Sequence, residues 1–157
     1  MPQPMTEEVR QAFLAGLHVG LVSLEIPARA PAVTPVWYAY APGGDIRFLT
    51  AKDSLLTKQL RHTTRATFCA QDEMPPYRYV TVEGPLLALE PAHRERDFRP
   101  LVERYLPHMW IEDYITRNWP ETVPADGHMF MARLRPEDWV TVDYWEDYAQ
   151  YFGMSPG

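Results

Sequence analysis

Apolar residues recur along this chain at two periods, and the switches between them mark its elements. Thr6 followed by Glu7 and Glu8 reads as a helix entrance, because a threonine hydroxyl caps free N–H groups and acids in the first turn suit the helix dipole. Val9, Ala12, Phe13 and Leu17 then share one face, with an end near Gly16. His18 to Ile26 (HVGLVSLEI) is aliphatic and β-branched and predicts a buried strand. Val33 to Ala41 predicts a second, aromatic strand. Pro35 within it brings no N–H to a ladder, which puts this strand at an edge or a bulge. Turn chemistry at Pro42-Gly43-Gly44-Asp45 leads to a strand over Ile46 to Thr50, and helical spacing follows from Ser54 to His62.

The second half repeats the strand period and then leaves it. Arg65 to Gln71 and Tyr77 to Leu89 predict two strands, joined through Met74-Pro75-Pro76. Phe98, Leu101, Val102, Tyr105 and Leu106 return to helical spacing. Pro100 sets Ala92 to Arg99 apart as a turn, and Trp110, Ile111, Tyr114 and Ile115 form a second stripe beyond Pro107. Trp119 to Gly127 reads as loop, and strands resume at His128 to Leu134 and Trp139 to Tyr144. The terminal GMSPG is expected to be mobile. Strands joined mostly by tight turns, with helices segregated rather than alternating, indicate an α+β protein, mainly antiparallel β. Closure into a barrel of six to seven strands with short peripheral helices would hide the sheet edges.

Length changes this picture little: 157 residues suit one domain, 1–157, with a core over about 18–144. A formal charge of −6 argues against nucleic acid as a partner, since phosphate backbones are held by concentrated Lys and Arg. No apolar run approaches the roughly 18 residues of a membrane span, and the start carries no long apolar leader segment, so a cytoplasmic protein is expected. The one cysteine, Cys69, lies in the apolar run Ala66 to Ala70 and is expected to be a buried, inert thiol. Five Trp and nine Tyr favour a β-rich core, flat ligands or a large subunit interface.

Several common chemistries have no sequence basis here: no G-x-S-x-G, no G-x-G-x-x-G, no phosphate-binding P-loop and no H-E-x-x-H occurs. The five histidines are dispersed, and no metal site is expected. Glu137-Asp138 and Glu146-Asp147 read as solvated surface. What remains is the unit from Pro31 to Arg65. Ser54, Lys58 and Arg61 fall at i, i+4, i+7, placing a hydroxyl and two cations on one helical face. That layout suits either a phosphate seat or an ordinary solvated basic face. Trp37, Tyr38 and Tyr40 are likewise either core filling or a stacking wall for a planar ring.

The ordered segments H-V-G-L-V-S-L (18–24), R-A-P-A-V-T-P-V-W-Y (29–38), G-G-D-I-R-F-L-T-A-K-D-S (43–54), L-R-H-T-T-R-A (60–66) and P-P-Y-R-Y-V-T-V-E-G (75–84) resemble the pyridoxamine 5′-phosphate oxidase-like family of flavin and deazaflavin split barrels. The likeness covers roughly residues 18–89 and, more loosely, 128–144. It implies a homodimer with the cofactor, FMN or the deazaflavin coenzyme F-420, between subunits, and hydride transfer to or from a small conjugated substrate. It puts Thr34, Pro35, Val36 and Trp37 along the cofactor ring, Thr50, Ala51 and Ser54 near the ribityl chain and phosphate, and Tyr77 to Tyr79 near a wall shared across the dimer, with Tyr79 as the cofactor contact there. Tyr38, Arg78 and Tyr79 are candidates for orienting substrate or giving a proton. Two departures stand out. Where relatives carry Gly before R-x-P this chain has Ala28, so the turn is expected to avoid positive φ there. The basic residue expected two positions after Ser54 is Leu56, which leaves Lys58 as the phosphate cation, with Lys52 and Arg61 in reserve. The alternatives are a non-catalytic binder of cofactor or ligand on the same dimer, or a haem-binding split barrel with His128 as ligand.

Overall fold

A computed structural model describes residues 2–153; the terminal residues 154–157, most of the expected mobile tail, lie outside the described residues. Helix α1 (Glu7–Ala15) opens as its sequence predicts, with the Thr6 hydroxyl accepting from Val9 N. Its buried residues are Phe13 and Leu14, whereas Val9 and Leu17 are exposed at 44% and 60%. The helix stops at Ala15, so Leu17 never joins the expected face.

Eight strands follow: β1 (Gly20–Leu24), β2 (Ala32–Val36), β3 (Tyr38–Ala39), β4 (Ile46–Ala51), β5 (Arg65–Gln71), β6 (Arg78–His93), β7 (Asp126–Leu134) and β8 (Asp138–Asp143). All their pairings are antiparallel, in the order β2-β1-β5-β6-β7-β4-β3, with β8 on the outer side of the first half of β6. One more strand than expected arises because Val33 to Ala41 is not continuous. β2 pairs with β1 and β3 pairs with β4, at opposite ends of the strand order, and Trp37 alone separates them in sequence. One residue spans only about 3.3 Å. The two ends of the sheet therefore meet at Trp37, and the sheet curls into a split barrel with its seam there.

β6 is the longest strand and belongs to both halves of the barrel. Residues 78–83 lie between β5 and β8, while the portion from Leu86 onward pairs with β7. The bend falls at Gly84. A Cβ there would lie 1.7 Å from the Arg135 carbonyl oxygen, so the β7–β8 connection crosses where only glycine leaves room. Glu137 N donates to Glu83 O and Arg135 N to Pro85 O on either side of that crossing.

The barrel interior is filled by the inward residues of the strands, among them Val22, Tyr38, Phe48, Phe68, Val80 and Leu134, with Phe13 and Leu14 plugging one end. Leu56 and Leu60 of helix α2 (Leu55–Leu60) complete this core. A second core lies outside the barrel. After β6 the chain makes a π-helical turn over Arg94–Phe98, then α3 (Arg99–Tyr105) and α4 (His108–Asn118), as the proline punctuation predicts. Phe98, Val102, Ile111, Ile115 and the fully buried Trp119 pack there against Trp37, Leu49 and Met129.

Three local expectations are corrected. Ala28 adopts φ 60, so the turn before β2 keeps the left-handed conformation with an alanine in it. Cys69 is only half-buried, because it alternates with Phe68 and Ala70 and lies on the opposite face from them. A short helix α5 (Trp145–Ala149), unforeseen in the sequence, follows β8. No described helix is long and apolar enough to cross a membrane.

Candidate functional site

The barrel seam is fixed by a side chain from the outer helices. The Tyr105 hydroxyl accepts from Tyr38 N at 3.1 Å and donates to His18 O at 2.6 Å, and Tyr38 O lies 3.1 Å away. Its ring stacks on Trp37 with centroids 5.0 Å apart and planes 2° from parallel. Tyr114 of α4 packs against the same indole at 5.4 Å. The residue at which the sheet changes sides is thus held in an aromatic stack.

Beside this stack lies a cleft of 380 Å³ between β2, β4 and the helical layer. Seven of the ten residues assigned to a cofactor by resemblance line it: Thr34, Pro35, Val36 and Trp37 from β2 and the seam, and Thr50, Ala51 and Ser54 from β4 and its turn. β2 pairs only with β1, so it is an edge strand, as Pro35 predicts. The other walls come from Phe98, Leu101, Tyr114, Met129, Leu49 and Leu56. The helical contributors have spacing that predicts their burial; nothing local in the sequence says which strands they cover.

The remaining assignments lie elsewhere. Lys58 lines a separate groove with Glu25 and His62, and the Arg61 guanidinium sits 5.2 Å from the centroid of the Phe130 ring. Tyr79 is half-buried on β6, opposite Gln71 and Val142, and is not part of the cleft wall. Of the proton-donor candidates, Tyr38 is fully buried and its hydroxyl donates to Leu14 O at 2.7 Å. Burial, and next the neighbouring Tyr105, push that phenol well above its ordinary range, so it stays protonated in the barrel core. Arg78 bonds Asp72 at 2.8 Å and covers the Phe13 ring, at a cavity remote in sequence from β2 and β4. His128 Nε2 lies 3.0 Å from Asn118 O, and its ring packs against Trp119.

The polar end of the cleft is a closed set of hydroxyls. Thr50 Oγ1 lies 2.8 Å from Ser54 Oγ and 2.9 Å from Thr57 Oγ1, and Ser54 Oγ also caps α2 by accepting from Thr57 N. Thr57 is fully buried, with its hydroxyl 2.6 Å from Ala51 O. Leu56, at 8% exposure, is anchored in the barrel core and contributes apolar surface to the cleft. Among the described residues, no Lys, Arg, Asp, Glu or His lines this cleft. A second cavity of 370 Å³, sharing Ala51 and Ser54 with it, carries Lys52, His128, Asp53 and Asp126.

A split barrel with an aromatic cleft at its seam is therefore the class of protein that fold and site define. Solved structures share the fold. An F-420 reductase is 21% identical, with a TM-score of 0.64, covering 83% of this chain and 94% of that one. A pyridoxamine 5′-phosphate oxidase from Listeria innocua, so described as a provisional assignment, is 16% identical, with a TM-score of 0.58 over 86% and 96% of the two chains. A FAD-binding protein from Mesorhizobium loti is 14% identical, with a TM-score of 0.61 over 91% and 98%. No family model and no curated protein sequence matches the chain.

Proposed function

We propose that the chain binds a flavin-type ring, that of FMN or the deazaflavin coenzyme, in the seam cleft, and acts as a homodimeric oxidoreductase on a small conjugated substrate. The observation that carries this reading is the gathering of Thr34 to Trp37 with Thr50, Ala51 and Ser54, from two strands that are not paired with each other, around one cleft with an aromatic wall. The likeness to flavin- and deazaflavin-related split barrels supports it.

The residues fit such a group at its ring end. Trp37, Tyr114 and Phe98, packed ring on ring at tilted angles, offer apolar aromatic surface, and the edge strand β2 offers backbone polar groups. Thr50 and Ser54 would meet the polyol chain, and Lys52, in the adjoining cavity that shares Ala51 and Ser54, offers a cation for an anionic terminus. When bound, the ring supplies the hydride chemistry. The chain's contribution is to hold the ring, shield one face of it with the α3–α4 layer, and keep charge out of its surroundings.

The test is a spectral titration of the purified protein with FMN and then with the deazaflavin coenzyme, followed by reduction and reoxidation with a quinone. Saturable perturbation of either visible spectrum, with turnover, is the expected result. Absence of any perturbation by both would refute the reading. Binding without turnover favours the second reading, a non-catalytic ligand-binding dimer, for which the uncharged cleft wall speaks.

A further inference from the structure

A second concave site lies on the same outer face of β4, nearer the Gly43-Gly44 turn. Arg47, Leu49 and Ala51 alternate with the buried Phe48 and Thr50, so they share that face. Leu49 and Ala51 belong to the seam cleft, whereas Arg47 lines a separate cavity of 100 Å³ beyond Leu101. At about 30 Å³ per molecule of liquid water, that volume holds about three waters, or one phosphate or carboxylate group.

Its walls are strongly basic. Arg47 comes from β4, Arg96 from the π-helical turn and Arg104 from α3, and three guanidinium groups face a single carboxylate, that of Asp97. Asp97 is already committed: it accepts from His93 N at 2.7 Å and from Arg96 at 2.7 Å. Arg104 uses one terminal nitrogen to donate to Ala15 O and Gly16 O at the end of α1, but its Nε is buried without a partner. Arg47 has no ion pair and no side-chain hydrogen bond among the described residues. The neighbouring Arg133, opposite it in the β4–β7 ladder, has its own carboxylates in Asp45 and Glu90. A buried guanidinium N–H without an acceptor is costly, and guanidinium groups that converge with too few carboxylates between them suit a planar or tetrahedral oxyanion through charge-assisted bonds.

We propose that this cavity binds a small oxyanion, a phosphate or carboxylate group, through Arg47, Arg96 and Arg104. The site is independent of the flavin-type reading. Arg47 and Ala51 are four residues apart on β4, about 13 Å along the strand, so the terminus proposed to meet Lys52 lies at the other end of the cleft. The anion is either free or the charged end of a larger molecule whose body passes Leu101 into the cleft, since Leu101 lines both spaces.

Titration calorimetry with inorganic phosphate, in a low-salt buffer free of other oxyanions, tests the site. Arg47→Ala is the informative variant, because its exposed side chain holds no structural partner. Wild type should bind phosphate saturably in about the millimolar range or tighter, and Arg47→Ala should weaken this about tenfold or more, the scale of one charge-assisted bond. Arg47→Lys should restore part of the affinity. Arg117→Ala, an exposed arginine on α4 paired with Asp113, should leave it within about twofold. Phenyl phosphate binding much more tightly than inorganic phosphate would assign the anion to a larger ligand, and equal affinities would assign a free anion. Absence of saturable binding, or equal weakening by Arg47→Ala and Arg117→Ala, would overturn the proposal.

Discussion

Tyr105→Phe isolates the contribution of one hydroxyl to the barrel seam. The oxygen bridges the backbone just before β1 to that at the start of β3, donating to His18 O at 2.6 Å and accepting from Tyr38 N at 3.1 Å. Losing an ordinary hydrogen bond costs about 1 kcal/mol, and stranding a buried N–H adds about 1–3 kcal/mol. Phenylalanine keeps the ring, and with it the parallel stack on Trp37. The variant should therefore unfold with a stability lower by about 2–4 kcal/mol, while flavin affinity stays within about threefold, less than the energy of one hydrogen bond. Tyr105→Ala also removes the ring, should be less stable than the Phe variant by about 1–2 kcal/mol, and should weaken flavin binding about tenfold or more because Trp37 loses its stacking partner. Urea denaturation followed by far-ultraviolet circular dichroism supplies the stabilities, and spectral titration the affinities. A Phe variant within about 0.5 kcal/mol of wild type, below the usual worth of a hydrogen bond, would show that the hydroxyl does not hold the seam. An Ala variant no worse than Phe would remove the stack from the argument.

Two further substitutions probe places where the chain departs from the sequence pattern it resembles. Leu56→Lys restores the expected charge but buries it in the barrel core, where Leu56 is 8% exposed; stability should fall by about 2–4 kcal/mol in urea, and a variant as stable as the parent that binds FMN more tightly would contradict this placement. Ala28→Gly relieves a left-handed residue at φ 60, which costs an L-residue about 1–2 kcal/mol, against the extra chain entropy glycine loses on folding; the melting temperature should rise by about 2–4 °C, and a fall would show that the turn carries no strain.

Much of the fold was legible in the local pattern. Thr6, Pro35, the Pro42–Asp45 turn, Pro100 and Pro107 announce boundaries by their own stereochemistry, and the structure puts boundaries or an edge strand at them. Burial was legible where neighbours alternate, as in β4 and β5. The split at Trp37 was not, because a strand that changes partners reads like a continuous one; only the pairing of its two halves with β1 and β4 distinguishes them. Ala28 misled for a related reason: its residue type argues against positive φ, but the connection from β1 to β2 imposes it.

The seam cleft divides along the same line. Thr34 to Trp37, Thr50, Ala51 and Ser54 are grouped by the resemblance, and the local signals that agree with it, an edge strand at Pro35 and a capping hydroxyl at Ser54, are ones that single residues carry. Lys58 and Arg61 could not be oriented that way. Helical spacing puts Ser54, Lys58 and Arg61 on one side, but α2 is only six residues long and is seated by Leu56 and Leu60, so Ser54 at its start reaches the cleft while Lys58 and Arg61 lie outside it. The sequence alone determined which segments would be strands, helices and turns, since those follow from periodicity and from the steric preferences of single residues. Tertiary structure decided which faces meet. Closure at Trp37 and the docking of the helical layer bring Tyr105 and Tyr114 to Trp37, and Arg96 and Arg104 to Arg47 on β4, from scores of residues away, and no local preference records a contact made by folding the whole sheet back on itself.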